Sequence, residues 1–155
     1  PAVGIGTTML FHCDLVYASH DATIQLPFVN IGICCEFGSS LALPAVMGMQ
    51  RATELLLLGE AIDAQKAMEY GLVNAVHAPD ALHEAALAAA LRIAQQPLES
   101  VRATRAFLRE ALRPQYVQRL GEERRTITRL LASPEAKRAF DGFLARGSNN
   151  QKTVI

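Results

Sequence analysis

Ala2-Val3-Gly4-Ile5-Gly6-Thr7-Thr8, followed by Cys13-Asp14-Leu15-Val16-Tyr17-Ala18, is the stretch on which the fold turns. Two glycines around one apolar residue mark a backbone turn, and the small-then-apolar run Thr7–Cys13 behind it reads as a helix start. Leu15–Ala18 is a short β-type run, and Asp21 punctuates it. Ala22–Leu26 reads as a second strand, ended by Pro27. Phe28–Gly38 is irregular, and Ser39 or Ser40 is expected to cap a short helix before Pro44. Met49–Leu58 has helical spacing and stops at Gly59; Asp63 caps a helix over Ala64–Tyr70 that Gly71 closes; Leu72–Val76 is a further strand.

At Pro79 the pattern changes. Pro79-Asp80 opens a helix to about Gln96, Pro97 starts the next, which Pro114 ends, and a third covers about Tyr116–Leu131. Ser133-Pro134-Glu135 combines a cap, a proline at the first helical position and an acid in the first turn. The helix it opens is expected to bury Ala136, Phe140 and Phe143 and to end near Gly147. Strand–helix units followed by helices give an α/β chain in three parts: a core over 1–78, a helical region over 79–147, and a flexible tail over 148–155.

Bulk properties remove several function classes. The 155 residues suffice for one core, and 15 Lys and Arg balance 15 Asp and Glu, so no net charge draws nucleic acid or an anionic membrane. Residues 1–50 hold no Lys or Arg. Cys13, Cys34 and Cys35 form no Cys-x-x-Cys pair and suit a reduced compartment, so the expected location is cytoplasmic. No signal peptide is visible, and runs such as Ala85–Leu91 are too short to span a bilayer. The chain starts at Pro1, without Met and in apolar sequence, which reads as entry in mid-fold.

Motif screening leaves one group standing. Gly4-Ile5-Gly6 is no dinucleotide fingerprint, since Met9 occupies the third glycine's place. His12, His20, His77 and His83 have no metal-ligand spacing, so no metal site is expected, and His12 in its apolar run reads as a core residue. Glu36 is the one acid between Asp21 and Glu54, set in Gly32-Ile33-Cys34-Cys35-Glu36-Phe37-Gly38. Apolar surroundings disfavour the charged form of a carboxylate, which suits a base or acid near neutrality. From the residues alone, Glu36 is equally a loop residue turned to water or a cap for the next helix.

The opening stretch, Ala22–Phe28 with Gly32, and Leu58-Gly59-Glu60-Ala61-Ile62-Asp63-Ala64 with Gly71-Leu72-Val73-Asn74 together resemble the enoyl-CoA hydratase/isomerase (crotonase) superfamily. The resemblance implies the C-terminal half of a crotonase-like (ββα) spiral and then an all-helical trimerisation region. It implies an acyl-CoA substrate, no separate cofactor because coenzyme A is part of that substrate, and a homotrimer or a dimer of trimers. It makes the Ile5 backbone N–H one donor of an oxyanion hole for the thioester enolate. The second donor is expected upstream of this sequence. Gly4, Thr8 and Phe28 become substrate-pocket candidates. Thr8 and Phe28 stand where the family's hydratases carry two glutamates. Glu36, between Gly32 and Ser39-Ser40, matches the single glutamate of peroxisomal-type Δ3,Δ2-enoyl-CoA isomerases; Cys35 departs from the proline frequent in that branch. The implied activity moves a 3-enoyl-CoA double bond to trans-2-enoyl-CoA by a one-glutamate proton shuttle. The alternatives are an enoyl-CoA hydratase and a non-catalytic acyl-CoA-binding or assembly module. Phe143 and Arg146 match positions from which the last helix of a neighbouring subunit reaches coenzyme A.

Overall fold

The computed structural model describes the backbone of residues 1–150 and the side chains of residues 1–142. Short strands and helices alternate first: β1 (Ala2–Val3), α1 (Ile5–Thr8), β2 (Tyr17–Ser19), β3 (Thr23–Gln25), α2 (Ser39–Met47), α3 (Met49–Leu58), β4 (Ile62–Asp63), α4 (Ala64–Glu69) and β5 (Ala75–His77). Helices follow: α5 (Leu82–Ala94), α6 (Leu98–Glu110), α7 (Arg113–Leu131) and α8 (Pro134–Asn150). Single 3-10 turns cover Met9–His12 and Val29–Ile31.

The five described strands form two small sheets. In one, β3 lies between β1, parallel with Ala2 opposite Ile24, and β4, antiparallel with Ile24 opposite Ile62. In the other, β2 and β5 run parallel, with Ala18 opposite Val76. Strands this short cannot stand alone in water, so burial must hold them. Ile24, Leu26 and Phe28 supply it, packed with Leu43 and Met47 of α2, Ala52 and Leu55 of α3, and Ala64 and Ala67 of α4. Leu26 and Leu43 have no exposed surface; each fully buried leucine contributes about 2 kcal/mol from removed apolar area.

Side-chain hydrogen bonds close the joints. The Asp63 carboxylate accepts from Lys66 N at 2.7 Å and caps α4, as its sequence position predicts. Gln25 Nε2 donates to Gly59 O at 2.8 Å. Gly59 ends α3 in the left-handed region at φ 64°, and an added Cβ would lie 1.7 Å from Asn30 Oδ1.

Several boundaries differ from expectation. Pro44 lies inside α2 instead of ending a helix before it, because burial of Ala42, Leu43 and Met47 outweighs the lost backbone bond. Gly38, not a serine side chain, occupies the cap position of α2. Pro114 sits at the start of α7, where a missing N–H costs nothing. The last strand is Ala75–His77, because Leu72 and Val73 are buried in the turn after α4. In α8, Ser133 Oγ accepts from Ala136 N at 3.1 Å and Ala136 is fully buried, but Phe140 is 37% exposed rather than a core residue. α8 passes Gly147 and reaches Asn150; the rest of the expected tail lies outside the described residues. Among the described residues no helix is long and apolar enough to cross a membrane.

Candidate active site

The glycine turn and the Glu36 loop meet at one cavity. It measures about 400 Å³ and is walled by Val3, Gly4, Ile5, Phe28, Ile31, Ile33, Ile127 and Phe140, with Glu36 on its surface. Apart from that carboxylate its side chains are apolar, as expected of a site that takes a largely hydrophobic ligand and orients it by a few polar groups. Gly4 and Phe28, both candidates from sequence, line it.

Gly4 explains its own identity. Its φ of 56° and ψ of −118° are open to glycine and strained for other residues, so the turn after β1 requires it. Its N–H donates to Gln25 O at 2.9 Å, and its carbonyl accepts from Thr7 N and Thr8 N at 2.9 and 3.0 Å. Ile5 and Gly6 are therefore the first residues of a helix, whose amides have no carbonyl one turn back. Ile5, whose amide stands at this helix start, is a lining residue of the cavity.

Glu36 is half-buried rather than turned to water. Its Oε1 accepts a hydrogen bond from Thr8 Oγ1 at 2.7 Å. Thr8 was a pocket candidate; it is fully buried and lies behind the carboxylate, not on the cavity wall. The Glu36 carbonyl accepts from Ser39 N at 3.1 Å and Ser39 Oγ at 2.6 Å, so the residue also serves the start of α2. The next two residues, Phe37 at φ 58° and Gly38 at φ 76°, are both left-handed. A phenylalanine there is strained by roughly 1–2 kcal/mol, and surrounding contacts must hold it.

Two side chains that the sequence reading did not assign to the site hold this loop. Glu123 of α7 is 6% exposed; its Oε2 accepts from Gly38 N at 2.7 Å and its Oε1 from Ser40 Oγ at 2.5 Å and Ser40 N at 3.3 Å. A carboxylate from a distant helix therefore caps α2, where the helix dipole also favours negative charge. His12 shares a 2.9 Å hydrogen bond between Nε2 and Phe37 O, and its ring meets Phe37 edge-on at 4.6 Å. It is exposed and not a core residue, because the helix after Gly6 shortens to a 3-10 turn that turns it toward the loop. The signal for Glu123 was present: it falls on the helical stripe Tyr116, Leu120, Ile127, where a carboxylate needs partners.

Burial pushes the Cys35 thiol up, and the Glu123 carboxylate adds to that; Cys34 is also raised, first by burial. Neither is set up as a thiolate nucleophile. Among the described residues no group of three His, Cys, Asp or Glu side chains is placed to hold a metal ion. The side chains of Phe143 and Arg146 lie outside the described residues.

Residues 1–152 match the family described as Enoyl-CoA hydratase/isomerase. The chain is 32% identical over 145 residues to the probable enoyl-CoA hydratase of Rhizobium meliloti (strain 1021), across 94% of this chain and 56% of that protein. It is 34% identical over 149 residues to enoyl-CoA delta isomerase 2 of Homo sapiens, across 96% of this chain and 38% of that protein. Its backbone matches the crystal structure of an enoyl-CoA hydratase/isomerase from Pseudoalteromonas atlantica T6c with a TM-score of 0.91 at 35% identity, across 94% of this chain and 59% of that one. The chain thus spans about half, or less, of the length of these curated relatives.

Proposed function

The chain belongs to the enoyl-CoA hydratase/isomerase (crotonase) family, and from that premise we propose that its site moves the double bond of a 3-enoyl-CoA to the trans-2 position, with Glu36 as the one proton carrier. The observation that carries this reading is a lone acidic residue, Glu36, on an otherwise apolar cavity that Ile5 also lines. In the step, Glu36 takes a proton from C2, and the electron pair of that bond passes into the thioester, whose oxygen becomes an enolate. The Ile5 N–H stabilises that oxygen; one such donor is worth about 3 kcal/mol in a dry site. The proton then returns at C4. The pair from C3=C4 forms the new C–H bond, the enolate collapses, and the double bond stands between C2 and C3. No atom is gained or lost.

Water addition needs a second group to hold or activate water. At the two positions that resemble hydratase glutamates the chain has a buried threonine and a phenylalanine, which disfavours that reaction. The reading also requires a second oxyanion donor from outside this sequence, and an acyl-CoA partner whose acyl part fills the apolar cavity.

Glu36→Gln keeps the shape and removes the base. In the whole protein that carries these residues, 3-enoyl-CoA isomerisation should fall by roughly 10²-fold or more. Unchanged isomerisation would overturn the assignment, and hydration of 2-enoyl-CoA far faster than isomerisation would make the protein a hydratase.

A further inference from the structure

We propose that Thr8 is a positioning residue for Glu36, holding one carboxylate oxygen so that the other alone carries the proton; this rests on the reading of Glu36 as the base. Thr8 has no exposed surface, and its Oγ1 stands 2.7 Å from Glu36 Oε1. A hydroxyl has a single proton to give. The other acceptor within reach, Ile5 O, is 3.4 Å away, so the carboxylate receives it. The Thr8 backbone cannot drift, since its N–H is bound to Gly4 O at 3.0 Å.

The contact ties two halves of the chemistry together. One helix of four residues, Ile5–Thr8, carries the Ile5 amide at its start and the Thr8 hydroxyl at its end. The distance between the charge-stabilising amide and the base is thus set by one turn of backbone and one hydrogen bond. The loop end of Glu36 is held separately, by Ser39 at its carbonyl and by Glu123 at Gly38 and Ser40. With its backbone held at one end and Oε1 at the other, the carboxylate loses the free rotation that would present either oxygen.

A hydroxyl suits this task in both states of the base. It donates to Oε1 when Glu36 is charged, and continues to donate to the same oxygen, now a carbonyl, when Oε2 carries the proton. It never competes for the proton in transit. A carboxylate at position 8 would instead face Glu36 at hydrogen-bond distance, and the pair would have to share a proton. The residue type at position 8 therefore selects one-carboxylate chemistry.

Thr8→Val removes the hydroxyl and keeps the branched shape; Thr8→Ser keeps the hydroxyl. Each is assayed in the whole protein with a 3-enoyl-CoA carrying deuterium at C2. Three quantities are read: kcat, KM and the fraction of label recovered at C4. Thr8→Val should lower kcat about tenfold, a loss in keeping with one hydrogen bond to a charged group, and leave KM within about twofold. Label at C4 should fall at least about twofold, because a rotating carboxylate exchanges its proton with solvent. Thr8→Ser should restore kcat and label transfer together. If Thr8→Val melts early, Thr8→Ala is read on the same quantities. Wild-type kcat and label transfer without the hydroxyl overturn the proposal, as does a serine variant as impaired as valine, which marks a packing role. Loss of activity in Glu36→Gln with no effect of Thr8→Val refutes the positioning role alone. Full activity in Glu36→Gln refutes the base assignment beneath it.

Discussion

Replacing Glu123 with alanine tests whether a buried carboxylate holds the Glu36 loop. The side chain accepts three hydrogen bonds, two short ones from Gly38 N at 2.7 Å and Ser40 Oγ at 2.5 Å, and a long one from Ser40 N at 3.3 Å. Hydrogen bonds to a charged group contribute about 1.5–3 kcal/mol each. The lower end applies, because Ser40 is only partly buried and its groups can turn to water. The long bond adds little. Two short bonds at the lower end give a loss of roughly 3 kcal/mol, and for a chain of this size that lowers Tm by about 10 °C. Glu123→Gln keeps one carbonyl oxygen but turns an NH2 toward a donor, and should lose about half as much. Thermal and urea denaturation followed by circular dichroism read both variants. The order wild type, glutamine, alanine is expected. Alanine within about 0.5 kcal/mol of wild type would refute the reasoning, since surface substitutions without partners fall in that range.

The Asp14 carboxyl lies below its ordinary value of 3.8, first through the hydrogen bond from Arg105, against a burial penalty, and then through Arg109. A depressed acid stabilises the fold above its unfolded value and loses that contribution as pH falls through the folded one. With side chains 51% and 58% exposed, the Asp14–Arg105 pair contributes under about 1 kcal/mol. Denaturation of Asp14→Asn against wild type should therefore show a small deficit at neutral pH that shrinks with salt and vanishes in acid; a deficit independent of pH would contradict this origin. On assembly, Leu98, Phe107, Leu108 and Val117 stand 58%, 81%, 72% and 63% exposed along α6 and α7, and such a surface calls for a partner. We propose a homotrimer built on these helices; light scattering at micromolar concentration should read three protomer masses, and a stable monomer would refute it.

Local chemistry made much of this chain legible. Asp63 capping α4 and Ser133 capping α8 are residues whose side chains satisfy the N–H groups next to them, so type and position coincide. Gly4 was readable for the same reason, because its backbone angles belong to glycine. The prolines misled because their cost is a balance: Pro44 remains in α2 once Leu43 and Met47 are buried on either side of it. Glu36 stood out as an acid in apolar sequence, but its partners did not, since Thr8 is 28 positions away and only the folded backbone brings them together. Glu123 sits among the charged residues Glu122, Arg124 and Arg125, so only its place on the stripe Tyr116, Leu120, Ile127 marks it as inward-facing. His12 lies in an apolar run that suggests burial, but a 3-10 turn there leaves its ring exposed.

The loop that carries Glu36 and the carboxylate that holds it are 85 positions apart in the chain, and the wall residue Phe140 comes later still. During synthesis from the N-terminus at about 5–20 residues per second, that separation corresponds to several seconds. Through that interval the strained Phe37–Gly38 turn has no Glu123 to bind, and the cavity is open along the side that Ile127 and Phe140 will cover. The pocket is thus among the last features the nascent chain can complete. A polypeptide that stops short of α7 would carry Glu36 and Thr8 and still lack Ile127, Phe140 and the carboxylate that holds the Glu36 loop.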